Sequence, residues 1–133
     1  MKYEKWLTHE FSTGGSIGED FKRFLRDMRS DLKEMAKKND LELSSFNKNH
    51  YCFSAILKDK ETGQYVYVSM ADVRYRQNWS ADVLIRNMRY ENDWTGERNH
   101  FCEWKDAGIR ARELIKQKER IKRQKDKQND RSR

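Results

Sequence analysis

Residues 51–73, YCFSAILKDKETGQYVYVSMADV, decide the fold of this 133-residue chain. Two runs of alternating apolar residues flank the turn-forming residues 59–63, and a period of two is typical of strands that bury one face. In the first run, one face of the predicted strand carries Tyr51, Phe53, Ala55 and Leu57. The second run sets Val66, Val68 and Met70 opposite Tyr65, Tyr67 and Ser69. The stretch therefore predicts an antiparallel hairpin of residues 50–58 and 65–73.

The flanking sequence predicts helices on either side of a small sheet. Ser16 and Glu19 form a capping box, and apolar residues at helical spacing follow as far as Ala36, which predicts a helix that begins at Ser16 and ends near Asn39-Asp40. Shorter strands are predicted at 41–46 and 82–88, and a second helix near Cys102 or Glu103. We expect an α+β fold: an antiparallel sheet of three to four strands packed by the N-terminal helix. The second helix is expected at the end of the sheet, running into a basic tail.

Length and composition predict a single domain with appendages: an N-terminal arm (1–15) carrying aromatic residues, an α+β domain (16–115) and a helical or disordered tail (116–133). The sequence has no apolar run of the roughly 20 residues that cross a bilayer and no apolar segment typical of a secretory signal. We therefore expect a cytoplasmic protein in which Cys52 and Cys102 are free thiols.

The net charge of +7 is concentrated in the tail, where nine Lys and Arg stand against three acids, while residues 1–115 carry only +1. Such a tail can displace counterions from a phosphate backbone, and it can equally engage RNA. The alternative is a tail that only improves solubility. The candidate binding residues here are Lys116, Arg120, Lys122, Arg123, Lys125 and Lys127.

Residues 61–104 contain five arginines and no lysine, interleaved with tyrosine and tryptophan. Guanidinium groups stack on aromatic rings and bind phosphate at two points, so this composition indicates a binding surface. The favoured alternative is an internal network in which Asp72, Asp82, Glu91, Asp93 and Glu97 hold the arginines. The candidate binding residues of this stretch are Arg74, Arg76, Trp79, Arg86, Arg89, Trp94 and Arg98.

Metal binding and catalysis have weaker support in the sequence. The two tetrads Asn49-His50-Tyr51-Cys52 and Asn99-His100-Phe101-Cys102 suggest a Cys2His2 zinc site, but the usual spacing of two residues between ligands is missing. We expect no metal and no cofactor. Glu103-Trp104-Lys105 has the spacing of a nuclease core but falls at a predicted helix start, so we expect a protein that is not an enzyme.

One ordered set of residues resembles a known family. It consists of Val68-Ser69, Asp72-Val73-Arg74, Trp79, Leu84-Ile85-Arg86, Asp93-Trp94-Thr95-Gly96 and Asn99. Over about residues 50–101 the chain resembles small proteins carried on phages, plasmids and integrative elements of Gram-positive bacteria. Trp94 and Glu97 stand where that family usually has Tyr and a second Gly. The resemblance implies a mobile-element context and no particular reaction.

Two functions remain open from the sequence. The first is a small accessory protein that binds nucleic acid, RNA included, or a ribonucleoprotein. The alternative is an anti-defence inhibitor of the anti-CRISPR type, which binds a host Cas nuclease or its guide RNA complex. A nearly neutral domain argues against an acidic mimic of DNA. The expected partner is nucleic acid or a nuclease with its guide RNA, with no membrane and no small-molecule substrate.

Overall fold

The computed structural model describes residues 2–6, 19–47, 53–70, 80–90, 93 and 97–131, with the side chains of the last helix described as far as residue 126. Two helices and five strands follow in the order α1 (Glu19–Lys38), β1 (Leu41–Asn47), β2 (Phe53–Asp59), β3 (Tyr65–Met70), β4 (Val83–Met88), β5 (His100–Cys102) and α2 (Ala107–Arg131). Neighbouring strands pair antiparallel in the order β1-β2-β3-β4-β5. Within these ranges, no helix is long and apolar enough to cross a membrane.

The predicted hairpin is formed by β2 and β3. Ala55 pairs with Val68 and Leu57 with Val66, so their side chains enter the main core together. On the opposite face Ile56 pairs with Tyr67 and contributes to a second, smaller cluster. Gly63 has a φ of 74° in the turn, a conformation that glycine adopts without steric cost. Tyr51 and the predicted extensions of both strands lie outside the described residues.

α1 buries the predicted apolar stripe, from Phe21 and Phe24 to Met35 and Ala36. Ser16 of the predicted capping box lies outside the described residues. The buried side of the helix also includes two acids that hold other segments. The Trp6 indole donates to Asp27 Oδ2 at 3.0 Å, and the Lys2 backbone amide donates to Asp31 Oδ1 at 3.0 Å. Residues 2–6 therefore pack on α1, with Trp6 buried in the core.

The sheet has five strands where the sequence predicted three to four, so that number was wrong. β5 has three residues, too few for an alternating pattern, and it forms because its backbone pairs with β4. The predicted start of the second helix at Cys102 or Glu103 was also wrong. Cys102 ends β5, a 3-10 turn spans Trp104–Asp106, and α2 begins at Ala107.

α2 packs on the same face of the sheet as α1, over β3 and β4, and does not stand at the end of the sheet as predicted. The two helices meet closely at Gly108, where an added Cβ would lie 2.7 Å from Asn39 Nδ2 and 3.0 Å from the Met35 carbonyl oxygen. One turn later, Arg112 donates to the carbonyl oxygens of Asn39 and Asp40 at 2.7 and 2.8 Å. Arg112 also pairs with Asp59 Oδ2 at 3.3 Å, which ties both helices to the end of β2.

Candidate nucleic-acid interface

The second half of α2 runs past the edge of the core and forms one wall of a cleft of about 820 Å³. The opposite wall comes from the β2–β3 turn and the start of β3, from the end of β4 and from residues 97–100. This volume lies within the range of about 300–1,000 Å³ found for ligand sites. Four segments of the chain, 62–65, 87–90, 97–100 and 114–125, therefore meet around one cavity.

Side-chain contacts attach α2 to the sheet at the base of the cleft. Lys118 Nζ donates to the Met88 carbonyl oxygen at 3.0 Å and lies 3.6 Å from Glu97 Oε2. Asn87 Nδ2 donates to the Leu114 carbonyl oxygen at 3.3 Å, and Gln64 Nε2 donates to Glu119 Oε1. These bonds set the position of α2 against the two strands as far as Glu119. From residue 120 to residue 126 every side chain of α2 is exposed.

The cations of α2 divide between two sides of the helix. Lys118, Lys122 and Lys125 follow i, i+4, i+7 spacing and line the cleft. Lys116, Arg120 and Arg123 have the same spacing on the other side, where they line a separate depression with Asp59 and Glu61. Of the predicted tail residues whose side chains are described, the structure therefore brings only Lys122 and Lys125 to the cleft. The side chain of Lys127 lies outside the description, although its backbone is helical.

Three cations at the cleft are available to a ligand. Arg98 comes from the segment before β5, while Lys122 and Lys125 come from α2, and all three are exposed. Within the described part of the chain, none of the three has an ion pair. Lys118 differs from them, because Glu97 already offsets its charge. The cleft therefore carries a local excess of positive charge.

Two large apolar side chains are exposed beside these cations. Tyr90 is 60% exposed and Ile121 is 54% exposed, and both line the cleft. Burial of such side chains is favourable, so their exposure together at one cavity is typical of a contact surface. Neither residue belongs to the binding set predicted from the sequence. The available signal was the sequence Arg89-Tyr90, which follows directly after β4.

Arg89 also lines the cleft and its side chain is 54% exposed, but its guanidinium is engaged by Asp93. Its Nε donates to Asp93 Oδ2 at 2.8 Å and its Nη2 donates to Asp93 Oδ1 at 3.1 Å, while the Asp93 carboxylate also accepts the Arg89 backbone amide. The hydrogen bonds and the charge of buried Asp93 raise the pKa of Arg89 above its ordinary value. The alternative interpretation of the arginine-rich stretch therefore applies to this residue.

Arg86 also has a structural role. Its guanidinium carbon lies 4.4 Å from the ring centroid of Tyr67, its cross-strand neighbour, and its Nη1 donates to Asn99 Oδ1 at 3.2 Å. Arg86 does not line the cleft. The remaining predicted residues of this stretch lie outside the described residues: Arg74, Arg76, Trp79 and Trp94.

The tetrads considered as a zinc site are only half described. His100 and Cys102 lie on β5, whereas His50 and Cys52 lie outside the described residues. Burial raises the pKa of the Cys102 thiol to about 11, which keeps it protonated near neutral pH. Burial and the nearby charges of Arg110 and Arg98 lower the pKa of His100, which favours the neutral form of this cleft residue. Within the described residues, no group of three or more metal-ligating side chains is found.

Comparison with known proteins gives no relative of this chain. No family model, curated protein or solved structure matches it. The geometry of the described residues therefore carries the functional argument.

Proposed function

We propose that this chain is a small, non-enzymatic accessory protein that binds nucleic acid or a ribonucleoprotein. The observation that carries the proposal is the grouping of Arg98, Lys122 and Lys125 around one cleft, beside exposed Tyr90. The resemblance to small proteins of phages, plasmids and integrative elements favours a role in a mobile genetic element.

The charge on α2 supplies the affinity in this proposal. Residues 116–126 include six Lys and Arg against two acids, and the helix presents them on two sides. Each phosphate neutralised by a cation releases condensed counterions, which favours binding without reading sequence. Protein–nucleic-acid contacts made mainly to phosphate are accordingly sensitive to salt.

The proposal assigns no reaction to the chain. Glu103 and Lys105, the residues with nuclease-like spacing, pair with each other at 3.3 Å, and both side chains are more than half exposed. A general acid or base usually works from a desolvated site that shifts its pKa toward the working pH. The Glu103–Lys105 pair lies in water and is better explained as a surface ion pair at the start of the 3-10 turn.

The test is binding of the full chain to labelled oligonucleotides as the salt concentration is raised. We expect affinity to fall linearly on a log–log plot, with a slope of roughly 0.7 to 0.9 per phosphate contact. Replacing Lys116, Arg120, Lys122, Arg123 and Lys125 with Gln should flatten that slope while leaving the folded domain intact. Absence of binding by the unaltered protein to both duplex and single-stranded probes at low salt contradicts the proposal.

A second candidate is the anti-defence inhibitor that binds a Cas nuclease or its guide RNA complex. The exposed Tyr90 and Ile121 favour it, because tyrosine and large apolar side chains are enriched at protein interfaces. A pull-down from host lysate, with and without nuclease treatment, separates the two functions. Partners lost after nuclease treatment favour nucleic-acid binding, whereas a nuclease-resistant Cas partner favours the inhibitor.

A further inference from the structure

We infer that the cleft between α2 and the sheet binds an unpaired stretch of nucleic acid, with one base stacked on Tyr90 and the adjoining phosphates on Arg98, Lys122 and Lys125. This inference rests on the proposed function and goes further, because it names the strand state of the partner and the residue that selects it. Single-stranded DNA and single-stranded RNA share the chemistry in question, a stackable base on a phosphate chain.

Tyr90 supplies the stacking surface. Its ring is 60% exposed at the cleft, and the Arg89 guanidinium carbon lies 5.8 Å from the ring centroid. Asp93 holds Arg89 with two side-chain hydrogen bonds, so the residue preceding Tyr90 is anchored to a buried carboxylate. An aromatic ring beside a track of cations is the usual device for binding single strands, since every base has a π face.

Two side-chain acceptors at the cleft also favour an unpaired base. Gln64 Oε1 and Asn87 Oδ1 are buried and, within the described residues, have no hydrogen-bond partner. An unsatisfied buried acceptor is unfavourable, and an N–H donor would relieve it. Every unpaired base carries such a donor on its pairing edge, and in a duplex that donor already bonds the complementary base.

The larger cavity of the molecule lacks these features. It measures about 910 Å³ and lies between the end of α1 and the starts of β1 and α2. Two ion pairs engage part of its charge, Arg112 with Asp59 and Lys60 with Glu42. No aromatic side chain lines it. Phe46 also lies beside cations, in a depression of about 560 Å³ with Arg26, Arg29 and Lys33, but its ring is only partly exposed and stacks on Phe53 at 4.9 Å. Of the aromatic rings described at these cavities, Tyr90 is therefore the one with a largely exposed face beside cations.

The first test compares Tyr90→Ala and Tyr90→Phe on single-stranded and duplex probes. The probes are labelled oligo(dT) and oligo(U) of about 12 nucleotides and a duplex of matched length. We expect Tyr90→Ala to weaken binding to single strands by about 5- to 150-fold and to change duplex binding little. We expect Tyr90→Phe to retain the affinity for single strands, because it keeps the aromatic ring. Equal affinity for oligo(dT) and oligo(U) identifies a site for single strands of either kind. A preference for one probe identifies the partner as single-stranded DNA or single-stranded RNA.

Ile109 provides a matched control, because it is as exposed as Ile121, lies on the same helix and does not line the cleft. We expect Ile121→Ala to weaken single-strand binding and Ile109→Ala to leave it unchanged. Thermal unfolding of each variant checks that the fold is retained. Equal effects of the two substitutions contradict a site at the cleft.

The second test separates position from net charge with two variants that each lose two cations from exposed positions of α2. Lys122→Gln with Lys125→Gln alters the cleft side, and Lys116→Gln with Arg123→Gln alters the other side. We expect the cleft-side variant to flatten the salt slope for single strands by roughly 1.4 and the other variant by much less. Equal flattening means that only overall charge matters, which overturns the inference.

The two proposals fail in different ways. If the unaltered protein binds neither probe, the nucleic-acid function itself fails. If it binds duplex as tightly as single strands, and Tyr90→Ala changes neither, nucleic-acid binding stands and the single-strand site is wrong.

Discussion

The two halves of α2 have the same secondary structure but different tasks. In residues 107–115 the helix buries Ala107, Ala111, Leu114 and Ile115 against the sheet and α1. In residues 116–131 the described side chains are mostly charged and exposed. Leu114 and Ile121 are seven residues apart on one side of the helix, yet Leu114 is 1% exposed and Ile121 54%. The extent of the sheet, and not side-chain type, therefore decides which residues form the core.

The difference separates stability from binding along one continuous helix. The inner half (107–115) contributes apolar burial, whereas the outer half (116–131) contributes charge held at a defined position by the bonds of Lys118 and Glu119. Substitutions in the inner half should change unfolding, and substitutions beyond Glu119 should change only interactions with a partner. Four predictions test this division.

The largest effect is expected from Leu114→Ala compared with Ile121→Ala. Leu114→Ala removes apolar contacts from a closed core and should lower the free energy of unfolding by about 2–5 kcal/mol. Ile121→Ala removes an exposed side chain and should change it by about 0.5 kcal/mol or less. Urea unfolding of both variants measures the two values. Similar losses would mean that the two halves are equally packed.

Arg112→Met should cost about 1.5–3 kcal/mol at neutral pH, because it removes charge-assisted hydrogen bonds to Asn39 and Asp40 and leaves Asp59 without its cation. Burial alone raises the pKa of Asp59, but the hydrogen bond from Thr62 and the charge of Arg112 outweigh it and hold this pKa below the ordinary value of 3.8.

Because the pKa of Asp59 is lowered in the folded protein, the loss of stability in Arg112→Met should depend on pH. As the pH is lowered, the Asp59 carboxyl is protonated in the unfolded chain before it is protonated in the folded protein. The stabilisation of the folded state is therefore complete above the unfolded pKa of about 4, and it disappears as the pH falls through the lower folded pKa. The difference between Arg112→Met and the unaltered protein should therefore shrink below about pH 4. Unfolding measured at several pH values tests it, and a difference that does not change with pH would contradict the role of Asp59.

Gly108→Ala should destabilise the protein by about 1–3 kcal/mol, because the new Cβ would meet the Met35 backbone oxygen at 3.0 Å. At an exposed helical position the same change is stabilising by up to about 1 kcal/mol, so the sign of the effect reports the close approach of α1 and α2. Thermal unfolding gives that sign. A rise in the melting temperature would show that the helices do not meet closely at Gly108.

The smallest effect is expected from truncation after Glu119, which removes a net charge of +5 but only exposed side chains among those described. The free energy of unfolding should change by about 0.5 kcal/mol or less. Truncation after Ile115 also removes the bonds of Lys118 and Glu119 and should cost about 1 kcal/mol more. Equal stability of the two truncated proteins would place the end of the packed region at Ile115.

Much of the fold could be predicted because it follows from local periodicity. The alternation in β2 and β3 and the helical stripe of α1 each appear within a single segment, and both elements formed at the expected places. β5 could not be predicted in the same way. Its three residues form a strand because β4 offers a free edge, and that edge exists only once the sheet has assembled.

The candidate site was predictable only in part. Composition indicated the basic helix and the arginine-rich stretch, and Lys122, Lys125 and Arg98 reach the cleft from those segments. Composition did not distinguish Arg98, which has no ion pair among the described residues, from the other two arginines. Asp93 holds Arg89, and Arg86 stacks on Tyr67. Pairing of this kind depends on distances of a few ångströms between side chains, which residue type alone does not specify.

The sequence by itself determined the hairpin, the amphipathic α1 and the concentration of positive charge near the C-terminus, because periodicity and charge are properties of short segments. Only the tertiary structure decided where α2 leaves the core, which of its cations face the cleft, and that Tyr90 lies exposed beside them. The physical reason is that burial and ion pairing depend on which segments meet. The residues that meet at this cleft lie up to 63 positions apart, from Thr62 to Lys125.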